Sequence, residues 1–164
     1  MNNRSIEIIN ATSDGDVAAV QLLFRDYAAF LKVDLCFQDF EEEMATFPKF
    51  YKLLLLARVD GLAAAAVGLK DLGEGVCEMK RLYARPTFQG LGLGRRLCGD
   101  LIDAARNSGF RLMRLDTLKR LKPALSLYHK YGFVEIEKYY DNPEDGVVFM
   151  ELDLRVENED TIDS

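Results

Sequence analysis

Val17, Val20, Phe24, Tyr27 and Leu31 recur at the spacing of one helix face, and Ser13 or Asp14 just ahead of them can cap the first turn. Before this helix, Ile6-Glu7-Ile8 alternates as a short strand. A second helical piece is expected from Gln38 to Thr46. Glu41, Glu42 and Glu43 lie near its start, where the helix dipole favours negative charge, and Pro48 ends it. The period then changes. Leu53 to Val59 and Leu62 to Leu69 are apolar runs parted by Asp60-Gly61, a dipeptide suited to a tight hairpin turn, so two antiparallel strands are predicted. Lys70 to Gly75 reads as a turn. Val76 to Ala84 reads as the third strand of a meander, ended by Pro86.

From Gly94 to Ser108 the residues Leu97, Leu101, Ala104 and Ala105 form a helical stripe, with Gly109 placed for a left-handed C-terminal cap. Arg111 to Asp116 is a short strand, and Pro123 to Tyr131 a helix with proline in its first turn and Gly132 as its cap. Phe133 to Glu137 and Val147 to Leu154 are two further strands, the latter with Val148, Met150, Leu152 and Leu154 on one face. Residues 157–164 are acidic and aperiodic, and a disordered tail is expected there. With no internal repeat or linker, residues 1–156 read as one domain.

A chain of 164 residues can bury a sizeable core without staples. The net charge of -6 argues against nucleic acid or an anionic membrane as the main partner. Cys36, Cys77 and Cys98 are odd in number and widely spaced, which suggests neither a disulfide framework nor a zinc site. The opening Met1-Asn2-Asn3-Arg4-Ser5 leads into mixed polar sequence, and the longest apolar runs cannot span a bilayer. A cytoplasmic protein is expected.

Candidate chemistry centres on Arg85-Pro86-Thr87-Phe88-Gln89-Gly90-Leu91-Gly92-Leu93-Gly94-Arg95-Arg96, which joins a strand to a helix through closely spaced glycines. Such a loop lets backbone amides converge on an anion beside the positive end of the helix dipole. A Walker-type phosphate loop would end in Gly-Lys-Ser or Gly-Lys-Thr, whereas Gly94 is followed by two arginines. A dinucleotide fingerprint would place its third glycine one position later and follow a parallel strand start.

The stretch Gln89-Gly90-Leu91-Gly92-Leu93-Gly94 resembles the pyrophosphate loop of the GNAT superfamily of N-acetyltransferases. Met79-Lys80-Arg81-Leu82-Tyr83-Ala84-Arg85-Pro86 resembles the family's strand before that loop. Ala124-Leu125-Ser126-Leu127-Tyr128-His129-Lys130-Tyr131-Gly132-Phe133 resembles its later helix and closing Gly-Phe. The resemblance implies an α/β (α+β) fold with a mixed, mostly antiparallel sheet, split near the strand ending at Ala84 and flanked by helices. It implies acetyl-CoA as cosubstrate, with no metal. Backbone amides of Gln89, Gly90, Leu91, Gly92, Leu93, Gly94 and Arg95 would hold the pyrophosphate, and Leu82, Tyr83 and Ala84 would run beside the pantetheine arm. An amide near Leu82 would then polarise the thioester carbonyl.

Tyr128 matches the tyrosine that in many relatives protonates the departing coenzyme A thiolate, although its helical stripe also suits simple packing. The sequence names no sure base. Glu78, four residues before Leu82 and by alternation on the same face, is a candidate, with a salt bridge as the plainer alternative. His129 is expected at the surface and Cys98 buried; neither calls for a covalent intermediate. Leu121 stands where the family often has an asparagine, while Asp116 and Thr117 could line the cleft, and Tyr27, Phe37 and Tyr140 could line an acceptor pocket. The implied partner is a small-molecule or peptide amine, and a homodimer is the commonest assembly of such enzymes. The alternatives are another acyl donor, or a cofactor-binding sensor without turnover.

Overall fold

A computed structural model describes residues 4–31, 40–142 and 144–156. Seven strands form one sheet in the order β1-β2-β3-β4-β5-β7-β6. These are β1 (Ile6–Asn10), β2 (Leu53–Val59), β3 (Leu62–Gly73), β4 (Val76–Ala84), β5 (Leu112–Leu118), β6 (Val134–Ile136) and β7 (Val147–Asp153). Among the described residues only the β4/β5 pairing is parallel. Helices α1 (Asp14–Leu31) and α2 (Phe40–Ala45) cover one face, and α3 (Leu93–Asn107) and α4 (Lys122–Tyr131) cover the other.

The two-faced cover explains the unbroken leucine run in β2. Leu54 and Leu56 pack under Val20, Leu23 and Phe24 of α1, while Leu55, Ala57 and Val59 join the core beneath Leu97, Leu101 and Ala105 of α3. Ser13 caps α1 as its side-chain oxygen accepts from the amide of Asp16 at 3.2 Å. Gly109 and Gly132 take left-handed φ values of 88° and 101° after α3 and α4, as expected of C-terminal caps.

Several boundaries differ from expectation. Lys70 to Gly73 is not turn but strand: Lys70 pairs with Glu78 and Asp71 with Cys77, and the turn shrinks to Glu74-Gly75, at φ 59° and 79°. The polar letters there mislead because the β3 arm of the hairpin end reaches solvent, while Val76 and Cys77 on the β4 arm are buried. β5 runs on past Asp116 to Leu118 because β7 offers partners as far as Val147. Pro86–Phe88 forms an unexpected short 3-10 turn before the glycine loop. The expected acidic tail at 157–164, Cys36, Phe37 and the first two residues of the expected second helix lie outside the described residues.

Two irregularities shape the middle of the sheet. The β4/β5 ladder pairs Val76, Cys77 and Glu78 with Leu112, Met113 and Arg114 and then stops, so the strands part over Met79 to Ala84. On its other side, β4 pairs Lys80 with Gly68 and next Tyr83 with Ala66. Two residues, Arg81 and Leu82, therefore stand opposite Val67 alone, which is a β-bulge.

Candidate functional site

The split opens beside the glycine loop. Gly90 and Gly92 have φ values of 88° and 75°, and the N-cap residue of α3, Gly92, offers no side chain to its first-turn amides. The first intrahelical bond there runs from the Arg96 amide to the Gly92 carbonyl at 3.1 Å, so the amides of Leu93, Gly94 and Arg95 precede the helix's own acceptors. A Cβ built on Gly90, Gly92 or Gly94 would meet no atom within 4 Å. The buried Nε of Arg95 has no hydrogen-bond partner among the described residues. A concave, donor-rich space at a helix N-terminus fits a pyrophosphate-like anion.

From Gln89 at the start of this loop, a cleft of about 510 Å³ runs into the split, lined by Leu82, Tyr83 and Ala84 of β4, Thr117 of β5, and Ala124 and Tyr128 of α4. Tyr27 and Phe30 of α1, Arg120, Leu121 and Pro123 complete it. The first residue of the loop, the strand and the tyrosine, matched separately in the sequence, therefore share one cavity, while Gly90 to Arg95 lie outside its lining. Tyr128 is only 7% exposed and its ring packs edge-on against Phe133. Burial, reinforced by Tyr27, Cys98 and Asp116, holds its phenol well above the ordinary value, so it stays protonated. Thr117 is buried in the wall.

The bulge corrects one expectation. Because Lys80 and Tyr83 face Gly68 and Ala66, both on one side of β3, the extra residue inverts the alternation, and Glu78 lies on the opposite face from Leu82. There it accepts a hydrogen bond from the Tyr139 phenol at 2.5 Å and lies 3.5 Å from the Lys80 ammonium. On the neighbouring strand Asp116 accepts from the Tyr140 phenol. Burial raises the Asp116 carboxyl above its ordinary value, against the opposing pull of Lys80 and Tyr140, and burial lowers the Lys80 ammonium, against the pull of Glu78. The charges of Asp116 and Arg81 both act on Tyr27, whose phenol burial pushes up to about 12. A polar cluster thus lies on the α1 side of the split.

Tyr27 lines the cleft, and Tyr140 lies beside it through its bond to Asp116. Lys80, Tyr139, Phe30 and Arg120 go unread: a lysine in a strand and an arginine in a turn look solvent-facing until the split places them. Arg120 donates to the Leu31 carbonyl and so ties the end of α1 to the cleft mouth. His129 is exposed, and Cys98 is buried with its thiol pushed up by burial, which gives neither a role in the cleft. Among the described residues no cluster of three His, Cys, Asp or Glu side chains could hold a metal, and no helix is long and apolar enough to cross a membrane.

Comparison with known proteins agrees with this geometry. The acetyltransferase (GNAT) family model matches residues 17–133. An uncharacterised N-acetyltransferase of Schizosaccharomyces pombe is 37% identical over 93% of this chain and 96% of its own length. Another, of Dictyostelium discoideum, is 28% identical over 92% of this chain and 99% of its own. Among solved structures, yncA of Salmonella typhimurium, determined with its cofactor acetyl-CoA, superposes with a TM-score of 0.69 at 22% identity, covering 93% of this chain and 95% of its own. A GNAT-family acetyltransferase of Staphylococcus aureus Mu50 gives 0.74 at 17% identity over 92% of this chain and 99% of its own. Split sheet, open glycine loop and matched sequence agree: the chain belongs to the GNAT family of acetyltransferases.

Proposed function

We propose that the chain moves an acetyl group from acetyl-CoA to a primary amine by direct attack. The observation that carries this reading is the single cleft joining Gln89, Leu82 to Ala84 and Tyr128. When bound, acetyl-CoA supplies a thioester: the amine nitrogen forms a bond to the acetyl carbon, the carbon–sulfur bond breaks, and the electron pair leaves on sulfur.

The amides of Gly90 to Arg95 hold the pyrophosphate, the expected Gln89 amide being taken by the Pro86 carbonyl at 3.2 Å, and their grip needs space and donors rather than particular side chains. Leu82, Tyr83 and Ala84 lie along the arm, and the Leu82 N–H donates to the carbonyl oxygen as negative charge develops there, a role worth a few kcal/mol. Tyr128 Oη gives its proton to the departing sulfur. The proton released by the amine goes to the carboxylates on the α1 side, Glu78 and Asp116. For Glu78 this rests on membership of that cluster and not on a shared face with Leu82. The acceptor reaches the split from the side bearing Tyr27, Phe30, Tyr139 and Tyr140. The protein works in the cytoplasm, as a single domain over residues 1–156.

The test is thiol release from acetyl-CoA with a panel of primary amines. The expected result is release with at least one amine, falling on the order of 10²-fold in Tyr128→Phe while acetyl-CoA affinity is retained. Binding of coenzyme A without release on any amine, together with no effect of Tyr128→Phe, would favour a sensor over an enzyme.

A further inference from the structure

The bulge in β4 is held from behind. Arg81 adopts φ 64°, a left-handed conformation that glycine takes freely and a residue with a side chain takes at a cost. An arginine at such a point indicates that its side chain is needed there. That side chain is buried on the α1 and α2 side, where its Nη2 and Nε donate to Glu43 Oε1 at 2.8 and 3.2 Å. Glu43, on α2, is 0% exposed, and its other oxygen accepts from the Tyr51 phenol. The Phe40 ring, also on α2, lies 5.7 Å from the guanidinium carbon.

A buried ion pair of this kind seldom stabilises a fold more than apolar residues of the same shape would. It does fix geometry, and it does so at the one place where β4 has lost both neighbours. On β3 the single residue Val67 stands opposite both Arg81 and Leu82, and β5 has already parted after Glu78. Neither neighbouring strand offers Leu82 a register partner of its own. We propose that Glu43 and Arg81 are positioning residues, which clamp the bulge so that the Leu82 amide stays aimed into the split at the acetyl carbonyl. This inference rests on the oxyanion role given to that amide above.

The test reads the amide's hydrogen bond directly and needs no knowledge of the acceptor. Acetyl-CoA labelled with carbon-13 at the acetyl carbonyl is bound to the full chain, and the carbonyl stretch is isolated by isotope-edited infrared difference spectroscopy. In the native chain the band lies below that of free acetyl-CoA. In Arg81→Gly, which suits the left-handed backbone, it returns toward the free position. The double variant Glu43→Gln/Arg81→Gln, which leaves no buried charge unpaired, behaves in the same way and keeps the result readable if the single variant folds poorly. In both variants acetyl-CoA affinity stays close to native because the loop is untouched, and with a turned-over amine kcat falls roughly 10-fold or more with little change in KM. Variants that keep the native band and turnover would overturn the clamp while leaving the oxyanion role standing. A native chain with no band shift would remove both.

Discussion

In the proposed reaction Tyr128 gives a proton and Asp116 takes one, and burial suits both roles by raising the phenol and the carboxyl alike. Asp116→Asn and Glu78→Gln are each expected to lower thiol release with a turned-over amine, since both carboxylates belong to the cluster given that role. The same shift has a sign in stability. Folded Asp116 binds its proton more tightly than the unfolded side chain does at its ordinary 3.8, so stability falls as pH rises from there through the raised value. Asp116→Asn removes that slope, and urea midpoints at about pH 4 and pH 7 should show the variant gaining on the native chain at the higher pH. Cysteine reactivity follows the same logic: burial pushes Cys77 up to about 12 and raises Cys98 as well. In a Cys36→Ser background neither thiol should react with an aromatic disulfide reagent at neutral pH until the chain is unfolded.

The elements around the site divide the glycines by what surrounds them. Gly94 lies in the first turn of α3 with open space at its missing Cβ, so Gly94→Ala should raise stability by up to about 1 kcal/mol yet weaken acetyl-CoA binding, by filling the anion's place. Gly92→Val adds a left-handed β-branched residue, roughly 1–2 kcal/mol of strain, and should abolish binding. Gly68 is the opposite case. Its Cβ would stand 2.5 Å from the Tyr51 ring, whose phenol is tied to Glu43, and Gly68→Ala should cost roughly 1–3 kcal/mol by chemical denaturation. Most elements are legible in the chain because their signals are local. Asp60-Gly61 and Pro86 bracket apolar runs, and Gly109 and Gly132 stop helices with regular stripes. The bulge is not legible, since Arg81 carries no mark of a positive φ, and a single inserted residue is enough to put Glu78 on the other face. The polar cluster is hidden for a related reason: Lys80, Tyr139 and Asp116 are far apart in sequence and meet only because two strands part.

The molecule as a whole is acidic, at -6, and the proposed anion site is a local matter of amides and a helix end, which calls for no basic surface. Two cores, one on each face, hold the sheet, and the split interrupts that sheet between β4 and β5. A ligand that fills the split stabilises only the folded chain. Acetyl-CoA at about 100 times its Kd should add about 2.7 kcal/mol and raise the melting temperature, and Gly92→Val should melt at the same temperature with or without it.

The parted strands also bear on how long the protein survives in a cell. A sheet normally protects its backbone by pairing it, and here Leu82 to Ala84 leave a stretch of β4 unpaired on the β5 side, in the interior of the fold rather than at its rim. A pantetheine arm with its amides would supply the missing rung. With the rung absent, that stretch is where local opening, and hence attack by a protease, should begin. Limited digestion in the presence and absence of coenzyme A should show protection spreading from β4 and β5, and the abundance of the protein should then follow the supply of its own cosubstrate.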